Sequence, residues 1–346
     1  MPISTDELLG RCQINEEGIS RTEALASYAV IQAIADARLS SEQVQDFKTA
    51  FISASTVGGM SRTDQLYEDA HLIGPPSQFL ASYNVGEHTS NIARRLKIKG
   101  ASTTFNTACS SSANSIMFGA KLIKSGRANR AIVGGADALA KFTVNGFNSL
   151  QILSQEESKP FDEDRVGLNL GEGAAYLILE SEELAGDKRV YGEVAGYGNA
   201  NDAFHPSSIS DEAFGVVASI SNALQVSGLS PEKIDYINAH GTGTPNNDIT
   251  EQTGMNKVFA GKVPAFQSTK TYTGHTLGAA GAIEAVFSLL VLNNKELYPS
   301  LHCAKPIAEY GLVPVMKYEQ RQAVDHVLSN SFGFGGNCSS LIFSKV

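Results

Sequence analysis

The sequence predicts an α/β protein made of two similar halves. Short β-branched or apolar runs alternate with longer stretches of helical spacing, the rhythm of a mostly parallel sheet covered by helices. That rhythm restarts near residues 180 to 190, which suggests an internal duplication with halves at 1–185 and 186–346. The 32 glycines cluster in motifs rather than in one low-complexity tract, so they punctuate elements instead of replacing them.

The elements follow in order. The first twenty residues are mostly polar, and a helix follows. Residues 21–37 carry Ala24, Tyr28, Ile31, Ile34 and Ala35 on one side, the pattern of a helix. Residues 49–55 read as a strand ending at Gly58-Gly59, and residues 78–96 as a helix. Residues 102–106 are β-branched and aromatic enough for a short strand. Residues 113–125 place Ile116, Met117, Ala120 and Ile123 at helical spacing, with Gly126 as a stop. The run at 130–136 is continuously small and apolar past Arg130, hence a strand buried on both faces. Residues 142–154 predict a loop with some helix, and 173–180 a strand.

The second half repeats the plan. Strands are predicted at 191–198, 234–240 and 264–268, and helices at 212–227 (ended by Gly228) and 249–259. Residues 277–292 form a helix that is apolar nearly all round and therefore central. Strands at 324–330 and 339–343 close the chain.

Composition excludes several classes. A formal charge of -9 argues against a general nucleic-acid binder. Cys12, Cys109, Cys303 and Cys338 are scattered with no CxxC pair, which gives neither a disulfide framework nor a zinc pattern and suits a reducing cytoplasm. The opening MPISTDE has no basic start and no apolar core, so no secretory signal is expected. The apolar stretch at 277–292 contains Glu284 and Ser288 and is too short for a membrane span. No GxGxxG follows a strand and no GxxxxGK[ST] occurs, so nucleotide binding is not indicated.

Four turns are candidates for carrying chemistry. Cys109 lies in Thr107-Ala108-Cys109-Ser110-Ser111-Ser112, between a strand and a helix. The unpaired N–H groups and dipole of a helix N-terminus favour a thiolate there and offer an N–H to a developing oxyanion. A buried structural cysteine is the plain alternative. His240 ends a strand in Asn238-Ala239-His240-Gly241-Thr242-Gly243-Thr244-Pro245. Lys270 and His275 precede the central helix in a segment reading STKTYTGHTLGAAGA. Phe334 lies in Asn330-Ser331-Phe332-Gly333-Phe334-Gly335-Gly336-Asn337. A lone histidine is more often a packing residue than a catalyst, and a glycine turn is usually only a turn. Together, one cysteine turn and two histidine turns at strand ends occupy the place where α/β sheets put their sites.

TACSSS, NAHGTGTP, STKTYTGHTLGAAGA, NSFGFGGN and the PFDEDRVGLNLGEGAA of residues 160–175 stand in an order and at a spacing that resembles the elongating β-ketoacyl-acyl-carrier-protein synthases. These are the Cys-His-His type of the thiolase-like superfamily, and the resemblance runs from about residue 20 to the C-terminus. Initiating synthases use a Cys-His-Asn set, which the two histidine motifs argue against. Thiolases add a second catalytic cysteine. Cys338 sits just past the last glycine turn, but that turn reads as a synthase turn.

The resemblance implies a duplicated, five-layered αβαβα fold and an acyltransferase. Cys109 would take an acyl group from a phosphopantetheine thioester, with its own N–H and that of Phe334 as oxyanion hole. His240 and His275 would serve as neutral N–H donors to the enolate left when malonyl carrier protein loses carbon dioxide. The helix that follows His275 disfavours imidazolium. The product is a 3-ketoacyl carrier protein, in fatty acid, polyketide or polyene synthesis. Lys270 and Glu284 match the family's buried orienting pair, Phe334 its gate, Phe147 its acyl channel, and Thr242 and Thr244 its hold on the pantetheine arm. No metal and no separate cofactor are implied, since substrates ride on the phosphopantetheine of acyl carrier protein. The expected partners are that carrier protein and a second subunit, a homodimer or a heterodimer with a related chain, in the cytoplasm, with no nucleic acid and no membrane. The competing reading is a non-catalytic chain-length-factor-like subunit that shapes the acyl channel of an active synthase. Such subunits typically lose the nucleophile, whereas Cys109, His240, His275 and Lys270 are all present.

Two departures stand out. The family opens with a Val-rich, Gly-containing strand expected inside the first sheet, and this chain begins after it, so either the start is truncated or misplaced or the fold has closed a gap in its sheet. Val166 and Leu168 replace a usual Asp and Phe, with consequences for local salt-bridging and channel shape. For docking an acidic carrier, the basic clusters are Lys121, Lys124, Arg127 and Arg130, and Arg94, Arg95, Lys97 and Lys99. A solvated helix face explains either cluster equally well. The family's own docking positions, near Arg21 and Gln151, are thinly basic.

Overall fold

A computed structural model describes residues 3–70, 77 and 80–346. The first half runs α1 (Thr5–Arg11), α2 (Arg21–Asp36), α3 (Ser41–Val44), β1 (Thr49–Ala54), α4 (Thr63–Ala70), α5 (Glu87–Leu96), β2 (Ser102–Phe105), α6 (Ser111–Lys124), β3 (Arg130–Asp137), α7 (Lys141–Ser149), β4 (Gly173–Glu180) and α8 (Glu182–Ala185). The second runs β5 (Glu193–Asn201), α9 (Phe214–Ser227), β6 (Tyr236–Asn238), α10 (Pro245–Val258), β7 (Ala265–Gln267), α11 (Lys270–Thr273), α12 (Ala280–Asn294), β8 (Glu296–Leu297), β9 (Glu319–Gln320), β10 (His326–Gly333) and β11 (Asn337–Ser344).

Two sheets carry the fold, ordered β2-β1-β3-β4 and β5-β11-β10-β6-β7. β1 pairs parallel with β2 and β3, while β4 returns antiparallel to β3. β6 likewise pairs parallel with β7 and β10, and β11 returns antiparallel to β10. The duplication is therefore visible in four strands of each sheet. α6 packs on β1 and β3, α12 on β10 and β4, and the two helices touch each other between the sheets. α2 and α5 cover the outer face of the first sheet, and α9, backed by α10, that of the second. This gives the five αβαβα layers.

The core divides in the same way. Ile116, Met117, Leu289 and Leu292 meet Val133 and Leu341 between the sheets. Val30 and Ile92 pack on Phe51 and Ile132 outside the first sheet, and Val216, Ile220 and Met255 on Leu328 and Ile342 outside the second. β3 is buried at every residue and sends Val133 inward and Ile132 outward, as its unbroken apolar run predicts.

The opening strand of the family is not a missing interior strand. β5 has no counterpart in the first sheet among the described residues, and β5 sits at an edge, antiparallel to β11. The equivalent place is the edge beside β4, so the β2-β1-β3-β4 order contains no gap. The uncovered edge shows in the burial. Ala174, Leu177, Ile178 and Leu179 of β4 are half-buried, whereas β11 is buried from Cys338 to Ser344.

Several local expectations change. α1 forms in the polar opening because the Ser4 side chain accepts from Glu7 N–H and Leu8 anchors it; one buried apolar residue is too few to show a period. Met1 and Pro2 lie outside the described residues, as do Gln78 and Phe79 of the helix expected at 78–96. Within that stretch Leu80–Tyr83 is a 3₁₀ turn, and α-helix begins only at Glu87, after Gly86. The 142–154 region is mostly the helix α7. α10 starts earlier than its apolar pattern, at Pro245, which suits the first helical position. α12 starts three residues later than expected, after a 3₁₀ turn at Leu277–Ala279. The stretch Leu277–Asn294 is apolar enough to cross a membrane by composition, but it packs between the two sheets, so its apolarity belongs to the core.

Candidate active site

Small polar residues build the cysteine turn. Ser111 Oγ accepts from Thr107 N–H at 2.8 Å and donates to Ala108 C=O at 2.5 Å. Asn114 Nδ2 donates to Thr107 Oγ1 at 2.8 Å. These bonds hold Ala108 at φ 52°, a left-handed conformation that costs an alanine about 1 kcal/mol or more. The strain turns Cys109 into the base of α6, where it is 6% exposed. β10 then brings Gly333 against this turn: a Cβ there would lie 2.8 Å from Cys109 N and 2.9 Å from Thr107 O, so only glycine allows the approach. The next residue, Phe334, donates its N–H to the Cys109 thiol.

The charge state differs from the helix-end expectation. Burial pushes the Cys109 thiol up to about 11, against the opposing pull of Lys270 and the Phe334 N–H. Desolvation outweighs the local positive potential, so the resting group is a neutral thiol rather than a thiolate.

The two histidines meet edge-on, with ring centroids 5.5 Å apart. Lys270 Nζ donates to His240 Nδ1 at 3.2 Å and to His240 C=O at 2.6 Å, and forms an ion pair with Glu284. Leu277 N–H donates to His275 Nδ1 at 3.2 Å. With both Nδ1 atoms accepting, each ring carries its proton on Nε2, ready to donate. Burial holds both histidines well below their ordinary value, reinforced at each by the Lys270 charge. Neutral imidazoles result, as expected, but the cause is desolvation beside a cation more than the helix dipole. Glu284 is raised by burial and pulled back by Lys270.

Two carboxylates not singled out in the sequence hold the His240 loop. Glu251 accepts from His240 N–H at 2.9 Å and Gly241 N–H at 2.8 Å. Asp248, one turn earlier on α10, accepts from Thr242 N–H at 2.9 Å and Gly243 N–H at 3.1 Å. Four consecutive backbone donors are thus gripped from one helix face. Both carboxylates are raised by burial, Glu251 to about 7. Their spacing of three on a helix opened by Pro245 was the available sign, since a charged pair on a buried face needs partners. Arg165 also serves this loop, donating to Pro245 C=O at 2.9 Å and lying 4.0 Å from Asp248. Thr242 and Thr244 join hydroxyls at 2.8 Å. Of the departures, Val166 is exposed and Leu168 buried.

A cavity of ≈ 400 Å³ opens beside Cys109, walled by Val57, Met60, Phe142, Phe147, Leu277 and Phe334 among others. Phe147 and Phe334 stack across it, centroids 5.6 Å apart and 18° from parallel. Thr242, Thr244, His240 and His275 are not among the residues that wall this cavity.

The basic clusters fare less well. Arg130 is buried and paired with Glu180 at 2.8 Å, and Arg95 is held by Glu23 at 2.8 Å and Glu16 at 3.2 Å. Arg21 pairs with Glu172. Lys121, Lys124 and Arg127 are exposed but sit at the C-terminal end of α6, about 20 Å along the helix from Cys109. Arg94, Lys97 and Lys99 are exposed at the end of α5.

A duplicated five-layer fold with a cysteine at a helix base and two Nε2–H histidines around a buried lysine defines a condensing acyltransferase of the thiolase-like class. Comparison with known proteins agrees. Residues 5–185 match the beta-ketoacyl synthase N-terminal domain and residues 191–304 the beta-ketoacyl synthase C-terminal domain. The 3-oxoacyl-[acyl-carrier-protein] synthase 2 of Staphylococcus aureus (strain COL) is 32% identical over 348 residues, covering 96% of this chain and 84% of that protein. Among solved structures, the ishigamide ketosynthase/chain length factor superposes with TM-score 0.89 at 31% identity, over 95% of this chain and 83% of that one. A type II polyketide synthase complex, AntDE:AntF, in which an acyl-carrier protein is bound to its ketosynthase with the hexaketide, gives TM-score 0.88 at 25% identity, over 95% and 86%. The chain belongs to the β-ketoacyl synthase family, and it is a condensing acyltransferase, a β-ketoacyl synthase.

Proposed function

We propose that Cys109 is the acyl-carrying nucleophile and that His240 and His275 stabilise the enolate of a malonyl thioester. The observation that carries this is the cluster in which the Phe334 N–H meets the Cys109 thiol, while that thiol and the two edge-on histidines surround the buried Lys270. In the first half-reaction a bond forms between Cys109 Sγ and the acyl carbon, and the bond to the phosphopantetheine sulfur breaks. The Cys109 proton ends on the departing thiol, which suits a nucleophile that rests protonated. The N–H groups of Cys109 and Phe334 receive the oxyanion. In the second, malonyl thioester loses carbon dioxide, and its enolate oxygen takes the two Nε2–H bonds. The carbanion attacks the Cys109 thioester, the C–S bond breaks, a 3-ketoacyl thioester leaves, and the freed Cys109 thiolate takes a proton from solvent. Lys270, with Glu284, fixes the His240 ring. The apolar cavity takes the acyl chain, with Phe334 stacked on Phe147 as its gate, and Thr242 and Thr244 hold the pantetheine arm. No further cofactor is required by these steps.

The substrates are carried on acyl carrier protein, and the two halves of the chain, 1–185 and 186–346, act as one unit in the cytoplasm. A dimer is proposed, a homodimer or a pair with a related subunit. β2 is an open sheet edge with Ser102 and Thr103 exposed, a few residues before Cys109, and a second strand there would brace the nucleophile turn. A channel-shaping subunit without chemistry would have no use for the complete Cys109, His240, His275 and Lys270 set. The test is mass spectrometry of the protein after exposure to acyl carrier proteins of different chain lengths. The wild type gains one acyl group, at Cys109, and Cys109→Ser gains none. His240→Ala and His275→Ala still acylate but do not release carbon dioxide from malonyl carrier protein. Condensation by Cys109→Ser would rule the mechanism out.

A further inference from the structure

Asp137, the last residue of β3, is fully buried and has no part in the steps above. Its Oδ1 accepts from Ser55 Oγ at 2.5 Å and Val57 N–H at 2.9 Å. Its Oδ2 accepts from Thr56 Oγ1 at 2.7 Å and Gly278 N–H at 2.7 Å. Thr56 N–H is shared between the two oxygens at 3.1 and 3.0 Å. Every partner is a donor, the surroundings of a carboxylate rather than of an amide or an acid.

The partners come from two places. Thr56 and Val57 form the turn after β1 and wall the cavity beside Cys109. Gly278 lies in the turn that starts the central helix, 141 residues away from Asp137 in sequence. The residue before it, Leu277, walls the same cavity and is held at φ 56°. Leu277 is also the residue whose N–H donates to His275 Nδ1. A left-handed leucine costs about 1–3 kcal/mol and persists only where its surroundings over-determine it. The bond from the next N–H to Asp137 is one such determinant. Gly278 leaves room for nothing else: a Cβ there would lie 2.8 Å from Asp137 Oδ2 and 3.0 Å from Thr56 N.

We propose that Asp137 is a positioning residue for the second half-reaction: it fixes the Leu277-Gly278 turn, and through the Leu277 N–H it keeps His275 in the Nε2–H tautomer that meets the enolate. The same carboxylate ties that turn to the cavity wall at Thr56 and Val57. The proposal rests on the role given to His275 above. It assigns to a residue of the first half the orientation of a histidine in the second.

The test compares the wild type with Asp137→Asn, which places an amide NH₂ among donors, and with Gly278→Ala, which pushes on the same contact from the other side. Three quantities are measured: acyl-enzyme formed on Cys109, carbon dioxide released from malonyl carrier protein, and the ¹⁵N spectrum of histidine-labelled protein, with His275 assigned by its loss in His275→Ala. In both variants, decarboxylation falls about tenfold or more, a part of the roughly hundredfold that loss of one donor to a developing oxyanion costs, and it falls by several times more than acylation does. The His275 signals move from the Nε2–H pattern toward a mixture of tautomers. A residue that merely supports the fold would lower both half-reactions in step with the folded fraction and leave the tautomer unchanged. That result, or an unaltered decarboxylation rate, overturns the proposal. Should Asp137→Asn not fold, Gly278→Ala decides alone. A wild type that acylates Cys109 but never releases carbon dioxide refutes the role of His275 instead, and the tautomer measurement then judges Asp137 separately.

Discussion

Replacing Lys270 with methionine leaves the Glu284 carboxyl without its counter-ion in the core. Both side chains are nearly inaccessible, 3% and 2% exposed, so water cannot take over the lost contact. Lys270 also gives up its bonds to His240 C=O and Nδ1. Breaking a buried pair from one side costs about 3–5 kcal/mol, mostly the desolvation of the charge left behind. Removing both charges, in Lys270→Met/Glu284→Gln, costs far less. The four proteins form a double-mutant cycle, with unfolding in urea followed by circular dichroism, and the coupling should reach about 2 kcal/mol or more. The pH dependence has a definite sign. Glu284 is raised by burial in the folded state and loses its lowering partner in Lys270→Met. Above the ordinary carboxylate value of about 4.3, the folded state then holds more protons at this site than the unfolded state, so stability falls as pH rises. The deficit of Lys270→Met against wild type should shrink as pH drops from 8 toward 5.5, and Lys270→Met/Glu284→Gln should show no such slope. A single-variant loss below about 1 kcal/mol with additive effects would refute the reasoning.

Gly333→Ala should slow acylation of Cys109 by roughly a hundredfold, since its Cβ would press on Cys109 N and displace the oxyanion donors; single-turnover acylation with the fold checked by circular dichroism measures this, and near-normal acylation would place the donors elsewhere. Alkylation of Cys109 by iodoacetamide should rise about tenfold per pH unit from 7 to beyond 9, because burial pushes the thiol up to about 11. A plateau below pH 8 would mean a resting thiolate. Reversing Lys124 and Arg127 to glutamate should leave the condensation rate and its salt dependence within about twofold of wild type, as both lie at the far end of α6. A large loss would make that end the carrier-docking surface.

Reading the chain alone goes far where a residue's role is local. The unbroken apolar run of β3 and the all-round apolarity of α12 announce buried central elements, and each is buried. Cys109, His240, Lys270 and His275 stand out only as a set: each turn alone reads as ordinary, and it is three such turns at strand ends of one α/β chain that mark a site. What was not readable depends on partners distant in sequence. The neutral state of Cys109 follows from burial by β10 and the central layer, which outweighs the helix end that the sequence does show. Asp137 looks like an ordinary strand-terminal acid until Gly278 N–H arrives. Arg130 and Arg95 look like docking charges until Glu180 and Glu23 are seen beside them. The place of the family's opening strand emerges only when the two sheets are compared.

The position of α12 also constrains how the protein is made. β4 ends at Glu180, and the helix that covers its inner face ends at Asn294. On a ribosome the first sheet is therefore complete, with α6 on its inner side but without the α12 layer over β4 and α6, while the intervening chain is produced, on the order of ten seconds. Throughout that interval Leu177 and Leu179 of β4, with Ile116 and Met117 of α6, have no lid from the later chain. A nascent chain paused before residue 280 is thus the form most open to aggregation or chaperone capture, and synonymous changes that slow translation there would bear on yield without altering a single residue of the enzyme.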